Sequence, residues 1–113
     1  MPTLRLRIKF GPKGHIGPGK VELLELVAAH GSISAAARAM EMSYKHAWDL
    51  LEELNQLFGK PLLDTQAGGR RGGGAQLTPL GQSVINRFRA IELAANAAAE
   101  EHIGALQAEV DAA

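Results

Sequence analysis

Residues 31–54, GSISAAARAMEMSYKHAWDLLEEL, read as two short helices joined by a three-residue turn. The first opens at Ser32 or Ser34, whose hydroxyl can accept one of the backbone N–H groups left over at a helix start. It continues through Ala35, Ala36, Ala37 and Ala39, strong helix formers whose small side chains let a neighbouring helix come close. Glu41, Met42 and Ser43 interrupt the run, and Ser43 can cap a second helix with Ala47, Leu50, Leu51 and Leu54 at three- and four-residue spacing. That spacing makes one buried stripe and leaves Tyr44, Lys45 and His46 pointing away from it, where a recognition helix carries its groove-entering side chains. The pattern is that of a helix-turn-helix; an ordinary αα-hairpin of a helical core is the alternative.

Upstream, Leu4, Leu6, Ile8 and Phe10 alternate with Arg5, Arg7 and Lys9, the period of a half-buried strand with a basic outer face. GPKGHIGPGK, residues 11–20, is too rich in glycine and proline for a helix or strand and is expected to be a turn-rich connection. Val21, Leu23, Leu24, Val27 and Ala28 then mark a helix over residues 20–30, with Gly31 suited to end it.

Downstream, Phe58-Gly59 stops the recognition helix, and short extended pieces at 61–65 and 75–78 flank AGGRRGGG. Two strands around a basic, glycine-rich tip make a wing in which Arg70 and Arg71 contact phosphate or enter a minor groove, while glycines such as Gly72 let the backbone approach DNA. In isolation the same residues describe a solvated surface loop; their place directly after the helix pair favours the wing.

Thr78-Pro79 is a helix start, threonine as N-cap and proline at the first helical position. From there Leu80, Val84, Phe88, Ile91, Ala95, Ala98, His102, Leu106 and Val110 keep one helical phase. Such a rod outruns a body of this size, so its exposed stripe is expected to pair with a second copy through Leu80, Val84, Phe88, Ile91, Ala95, Ala98 and Leu106. A frayed alanine-rich tail is the alternative.

The 113 residues suit one unit, with residues 1–78 as a winged helix-turn-helix and 79–113 as its dimerisation helix. The fold class is α+β, mainly α: an N-terminal strand, the helix pair, a two-stranded wing and a long C-terminal helix. Net charge is zero, but its distribution is not even: all 12 Lys and Arg precede Ile91, against seven Asp and Glu, while the remainder carries five acids and no Lys or Arg. A basic body can face phosphate while the acidic tail points elsewhere. Cysteine is absent, which removes disulfides and thiolate metal sites. Neither an export signal nor a membrane span is indicated, and a cytoplasmic location is expected.

Gly14 to Lys20, GHIGPGK, matches the first seven positions of a phosphate-binding P-loop, but Val21 stands where the magnesium-binding hydroxyl is required. His15, His30, His46 and His102 lack paired ligand spacing, and Glu52 and Glu53 are adjacent on a helix and diverge. No catalytic residue, metal or cofactor is expected. Trp48 is either a base contact or a buried or phosphate-adjacent packing residue, with packing preferred.

GSISAAARAM, SYKHAW, Asn55-Gln56-Leu57, GGRRGGGAQLT and the glycine of LTPLG together resemble the N-terminal winged-helix domain of ModE-type molybdate-responsive transcriptional regulators, over nearly all of the chain. LysR-type regulators share a similar helix-turn-helix and LT-x-x-G segment. The resemblance implies a homodimer that binds operator DNA, with Ser43, Tyr44, Lys45 and His46 at the start of the recognition helix and Arg70 and Arg71 in the wing. With Ser32, Ser34, Arg38 and Gly72, these are the candidate contacts to double-stranded DNA. ModE regulators continue into small β-barrels that bind molybdate; this sequence stops at Ala113, so no molybdate site is expected within it, whether it is a naturally sensorless regulator, a shortened one, or one that relies on another chain for sensing. A winged-helix adaptor that binds protein rather than DNA is the competing class.

Overall fold

Proline at the first helical position starts the first helix earlier than the apolar spacing alone predicts. In the computed structural model, which describes residues 2–66 and 74–113, helix α1 runs over Pro18–His30 and ends at Gly31, whose φ of 75° is left-handed. Helix α2, Ile33–Ala39, and helix α3, Tyr44–Phe58, follow as expected. Strands β3, Leu63–Gln66, and β4, Gly74–Leu77, pair antiparallel with Leu63 opposite Leu77 and Gln66 opposite Gly74. Helix α4 then runs over Pro79–Ala112, with the Thr78 hydroxyl accepting from Gly81 N–H at 3.1 Å.

The amino-terminal segment departs from expectation. Only Ile8–Lys9 is a strand, β1, and it pairs antiparallel with a two-residue strand β2, His15–Ile16, inside the stretch expected to be turn alone. A 3₁₀ turn at Gly11–Lys13 and Gly14 at φ 144° reverse the chain, and Phe10 N–H donates to Gly14 O at 2.8 Å. Alternation was legible; the hairpin was not, because a two-residue strand has no period to read.

One core joins these elements. Val21, Leu23, Leu24 and Val27 of α1 pack with Ile33, Ala36 and Ala37 of α2, Ala47, Leu51 and Leu54 of α3, Leu62, Leu63 and Ala75 at the wing base, and Val84, Ile85 and Phe88 of α4. Truncating a fully buried leucine among them to alanine costs about 2–5 kcal/mol.

The stripe on α4 divides. Val84 and Phe88, expected on the dimer face, are buried in the chain's own core, and Leu80 packs against that core, because the first turns of α4 lie on α1 and the wing base. From Ile91 onward no residue of α4 is buried; Ile91 is 43% exposed and Leu93, Leu106 and Val110 are 66–74% exposed. At about 1.5 Å per residue the 34-residue helix is roughly 50 Å long, most of the 59 Å principal extent. Arg89 fixes its direction, donating through Nη2 and Nε to the two oxygens of Glu25 on α1 at 2.6 and 3.2 Å, and through Nη1 to Glu92 at 2.6 Å. The two carboxylates hold the guanidinium pKa above its ordinary value.

Candidate nucleic-acid interface

The interface is assembled from three segments that are separate in sequence. At the entry to α2, Ser32 settles the choice between the two serines: its extended backbone lets the side-chain oxygen accept Ala35 N–H at 3.0 Å, while Ser34, the second residue of the helix, is exposed. Arg38 is exposed on the last turn of α2. The chain then turns through Glu41, at φ 55°, with Met42 N–H donating to Ala37 O at 3.0 Å. A left-handed glutamate is unfavourable, and nothing in its residue type announces it.

Ser43 caps α3 by accepting from His46 N–H at 3.1 Å. Its buried face is Ala47, Leu51 and Leu54, with Leu50 only half-buried, and Tyr44, Lys45, His46 and Trp48 are exposed. Lys45 Nζ donates to Asp49 Oδ2 at 2.9 Å, one turn along the same face. The candidate phosphate or base contact thus already carries a partner, a pairing that the i,i+4 spacing could have signalled. Trp48 is 46% exposed, so of the buried and phosphate-adjacent packing roles preferred from sequence the buried one does not hold; its neighbours Ala47 and Leu51 occupy the inward positions.

The wing is set against this helix pair by hydrogen bonds. Ala75 N–H donates to Gly31 O at 2.9 Å, placing β4 beside the entry to α2. Asn55 Oδ1 on α3 accepts Leu62 N–H at 2.9 Å, Thr78 N–H donates to Leu62 O at 3.0 Å, and Thr78 Oγ1 donates to Pro61 O at 2.9 Å. A β-carbon at Gly81 would overlap the Leu62 carbonyl oxygen, so α4 passes the wing base only with glycine there. As a result Ser32, Ser34, Tyr44, Trp48, Thr65 and Gln66 share one open cleft of about 390 Å³. Thr65 and Gln66 were missed from sequence because their only signal, a place in a wing strand, does not say which way they face. Arg70, Arg71 and Gly72 lie outside the described residues.

The P-loop-like segment is not a phosphate cradle. Lys20 is 9% exposed, and its ammonium donates to His15 O and Glu53 Oε1, both at 3.3 Å, tying β2 to α3. Lys20, with smaller contributions from slight burial and from Arg7 and Lys9, lowers the pKa of His15 below its ordinary value. Among the described residues no cluster of histidine and carboxylate side chains is arranged to hold a metal ion.

A family model described as bacterial regulatory helix-turn-helix protein, lysR family, matches residues 19–82. The molybdenum-pterin-binding protein MopA of Rhodobacter capsulatus is 46% identical over 77 residues, 68% of this chain and 29% of MopA. The molybdenum transport protein ModE of Azotobacter vinelandii is 43% identical over 74 residues, 66% of this chain and 27% of that protein. The DNA-binding transcriptional dual regulator ModE of Escherichia coli K12 is 41% identical over 83 residues, 74% of this chain and 32% of the regulator. The matched region spans less than a third of the length of each of these relatives. Among solved structures, the CbnR_DBD-DNA complex contains a chain that aligns with a TM-score of 0.59 at 24% identity, covering 77% of this chain and 95% of that one, which shows the shared fold.

Proposed function

This chain belongs to the lysR family of bacterial regulatory helix-turn-helix proteins, and from that membership we propose that it is a ModE-type transcriptional regulator that reads operator DNA as a homodimer. The carrying observation is the convergence of the α2 entry, the first turns of α3 and the wing strands on one cleft. Direct base readout comes from α3, and the wing positions the duplex through phosphate. The apolar residues left uncovered along the stripe of α4, Ile91, Leu106 and Val110, support pairing of two copies, which places two recognition helices on two half-sites. No helix among the described residues is long and apolar enough to cross a membrane, and a regulator of this kind works in the cytoplasm, where the DNA is.

The test is selection of bound duplexes from a random pool by the purified chain at near-physiological salt. Enrichment of a palindrome with half-sites about one helical turn apart is the expected outcome. No enrichment and no salt-dependent binding to bulk duplex would overturn the regulator reading and favour a winged-helix adaptor that binds protein.

A further inference from the structure

We propose that Tyr44 and Trp48 form an apolar reader of the thymine C5-methyl group. The inference rests on the DNA-reading function above and assigns to it a base preference and the side chains that create it. The two aromatics stand one turn apart on α3, 54% and 46% exposed. Of the other large apolar side chains left in water, Phe10 stacks edge-on against Phe58, and Ile91, Leu93, Leu106 and Val110 sit on α4. Tyr44 and Trp48 are therefore an apolar patch confined to the recognition helix, away from the face that supports pairing of two copies.

Their direction follows from helix geometry. Side chains four residues apart share a face, and a helical side chain leans toward the turn before its own Cα. Trp48 accordingly covers the surface next to Tyr44, at the amino-terminal end of α3, the part of a recognition helix that enters the major groove. In these turns the side-chain hydrogen bonds among the described residues are those of Ser43 with His46 N–H and Lys45 with Asp49; neither aromatic takes part.

The chemistry of the flank selects the ligand group. Among the described residues, the cleft beside the pair is lined by serine, threonine, glutamine, glycine, alanine and isoleucine, with no charged side chain. The described lining itself supplies phosphate no countercharge, and Lys45 and His46 are exposed on neighbouring positions of α3. The major-groove edge of a base pair presents one apolar group, the thymine methyl, and its apolar contact is a recognised means of telling thymine from cytosine.

The experiment replaces thymine by deoxyuridine, one position at a time, in the duplex recovered by selection, and measures binding by the wild-type chain and by Trp48→Ala and Tyr44→Ala. Loss of a methyl contact is expected to weaken wild-type binding about fourfold at one or two positions per half-site, the value of one buried CH₂-sized group. Trp48→Ala is expected to bind the thymine and deoxyuridine duplexes equally at that position while keeping the wild-type salt slope. If the wild type selects no duplex, the operator-reading function falls and this inference with it. If the wild type selects a duplex but is indifferent to deoxyuridine at every position, the methyl reading alone is overturned. A deoxyuridine penalty that persists undiminished in both variants overturns the assignment to these two residues. The wild-type scan alone can overturn the methyl reading, and where an alanine variant folds poorly the exposed positions allow Trp48→Gln and Tyr44→Gln to carry the test of the assignment.

Discussion

The side-chain oxygen of Asn55, near the end of the recognition helix, accepts the backbone N–H of Leu62 at the foot of the wing, at 2.9 Å. Leu62 is 1% exposed, so its N–H has no access to water once that acceptor is removed. This bond ties the foot of the wing to α3, and the two bonds of Thr78 tie the start of α4 to the same foot. Asn55→Ala is expected to destabilise the fold by about 1–3 kcal/mol, the cost of orphaning a buried donor. Asn55→Asp keeps an acceptor oxygen and should lose less, a difference that urea unfolding would resolve.

Gly81→Ala and Gly104→Ala are the same substitution on the same helix and should have opposite signs. At Gly81 the new β-carbon meets the Leu62 carbonyl, which is backbone held in a hydrogen bond to Thr78, so α4 or the wing base must shift; the expected cost is about 1–3 kcal/mol. At Gly104 nothing lies within 4 Å of the new atom. There alanine should stabilise by up to about 1 kcal/mol through helix propensity. Thermal unfolding of the two variants beside the wild type checks both signs.

Asp49→Asn releases Lys45 from its ion pair. With both side chains largely in water, stability should change by no more than about 0.5 kcal/mol. Affinity for duplex DNA should rise, and the slope of log K against log salt should steepen by about one if the freed ammonium takes up a phosphate. Lys45→Ala should lower affinity, and the double change of Arg70 and Arg71 to Ala should flatten the slope by roughly two while weakening all sequences alike. Binding isotherms at a series of salt concentrations separate the three cases.

His15 sits in a positive field set chiefly by Lys20, with Arg7 and Lys9 adding to it, so its folded-state pKa lies below the ordinary value of 6.5. A depressed histidine pKa means the unfolded chain binds the proton more readily; any contribution is present above pH 6.5 and is lost as the pH falls through that value. Stability should decline slightly on acidification, and His15→Gln should remove that part of the decline. A proton-detected titration of the imidazole should give a midpoint below 6.5, moving up in Arg7→Gln and at high salt.

Ile91→Glu combined with Leu106→Glu should turn a two-copy assembly into single chains without unfolding them, because both side chains are exposed within one chain. Val84→Glu, by contrast, should unfold the domain, since Val84 is 8% exposed in its core. Sedimentation equilibrium distinguishes the first outcome and circular dichroism the second; a chain already monomeric before mutation would overturn the pairing.

Local chemistry made much of the scaffold readable in advance. Ser43 and Thr78 cap the helices they were expected to cap, the Ala47–Leu51–Leu54 stripe faces inward, and Gly31 ends α1, because caps, left-handed turns and helical periodicity act within a few residues. What failed depended on neighbours distant in the chain. The α4 stripe has one phase from Leu80 to Val110, so periodicity could not show that its first part belongs to this chain's core and only the rest remains uncovered.

The sequence by itself thus determined the helix pair, the Ser43 and Thr78 caps, the two wing strands and the family, all properties of local pattern and residue type. Only the tertiary structure decided that Lys20 is consumed by Glu53 and His15, that Asn55 holds the wing, and that Trp48 stands exposed beside Tyr44. Those outcomes depend on which elements pack against one another: a charge is spent or free, and an aromatic is core or surface, according to partners that lie far away in the chain, as Glu53 does from Lys20.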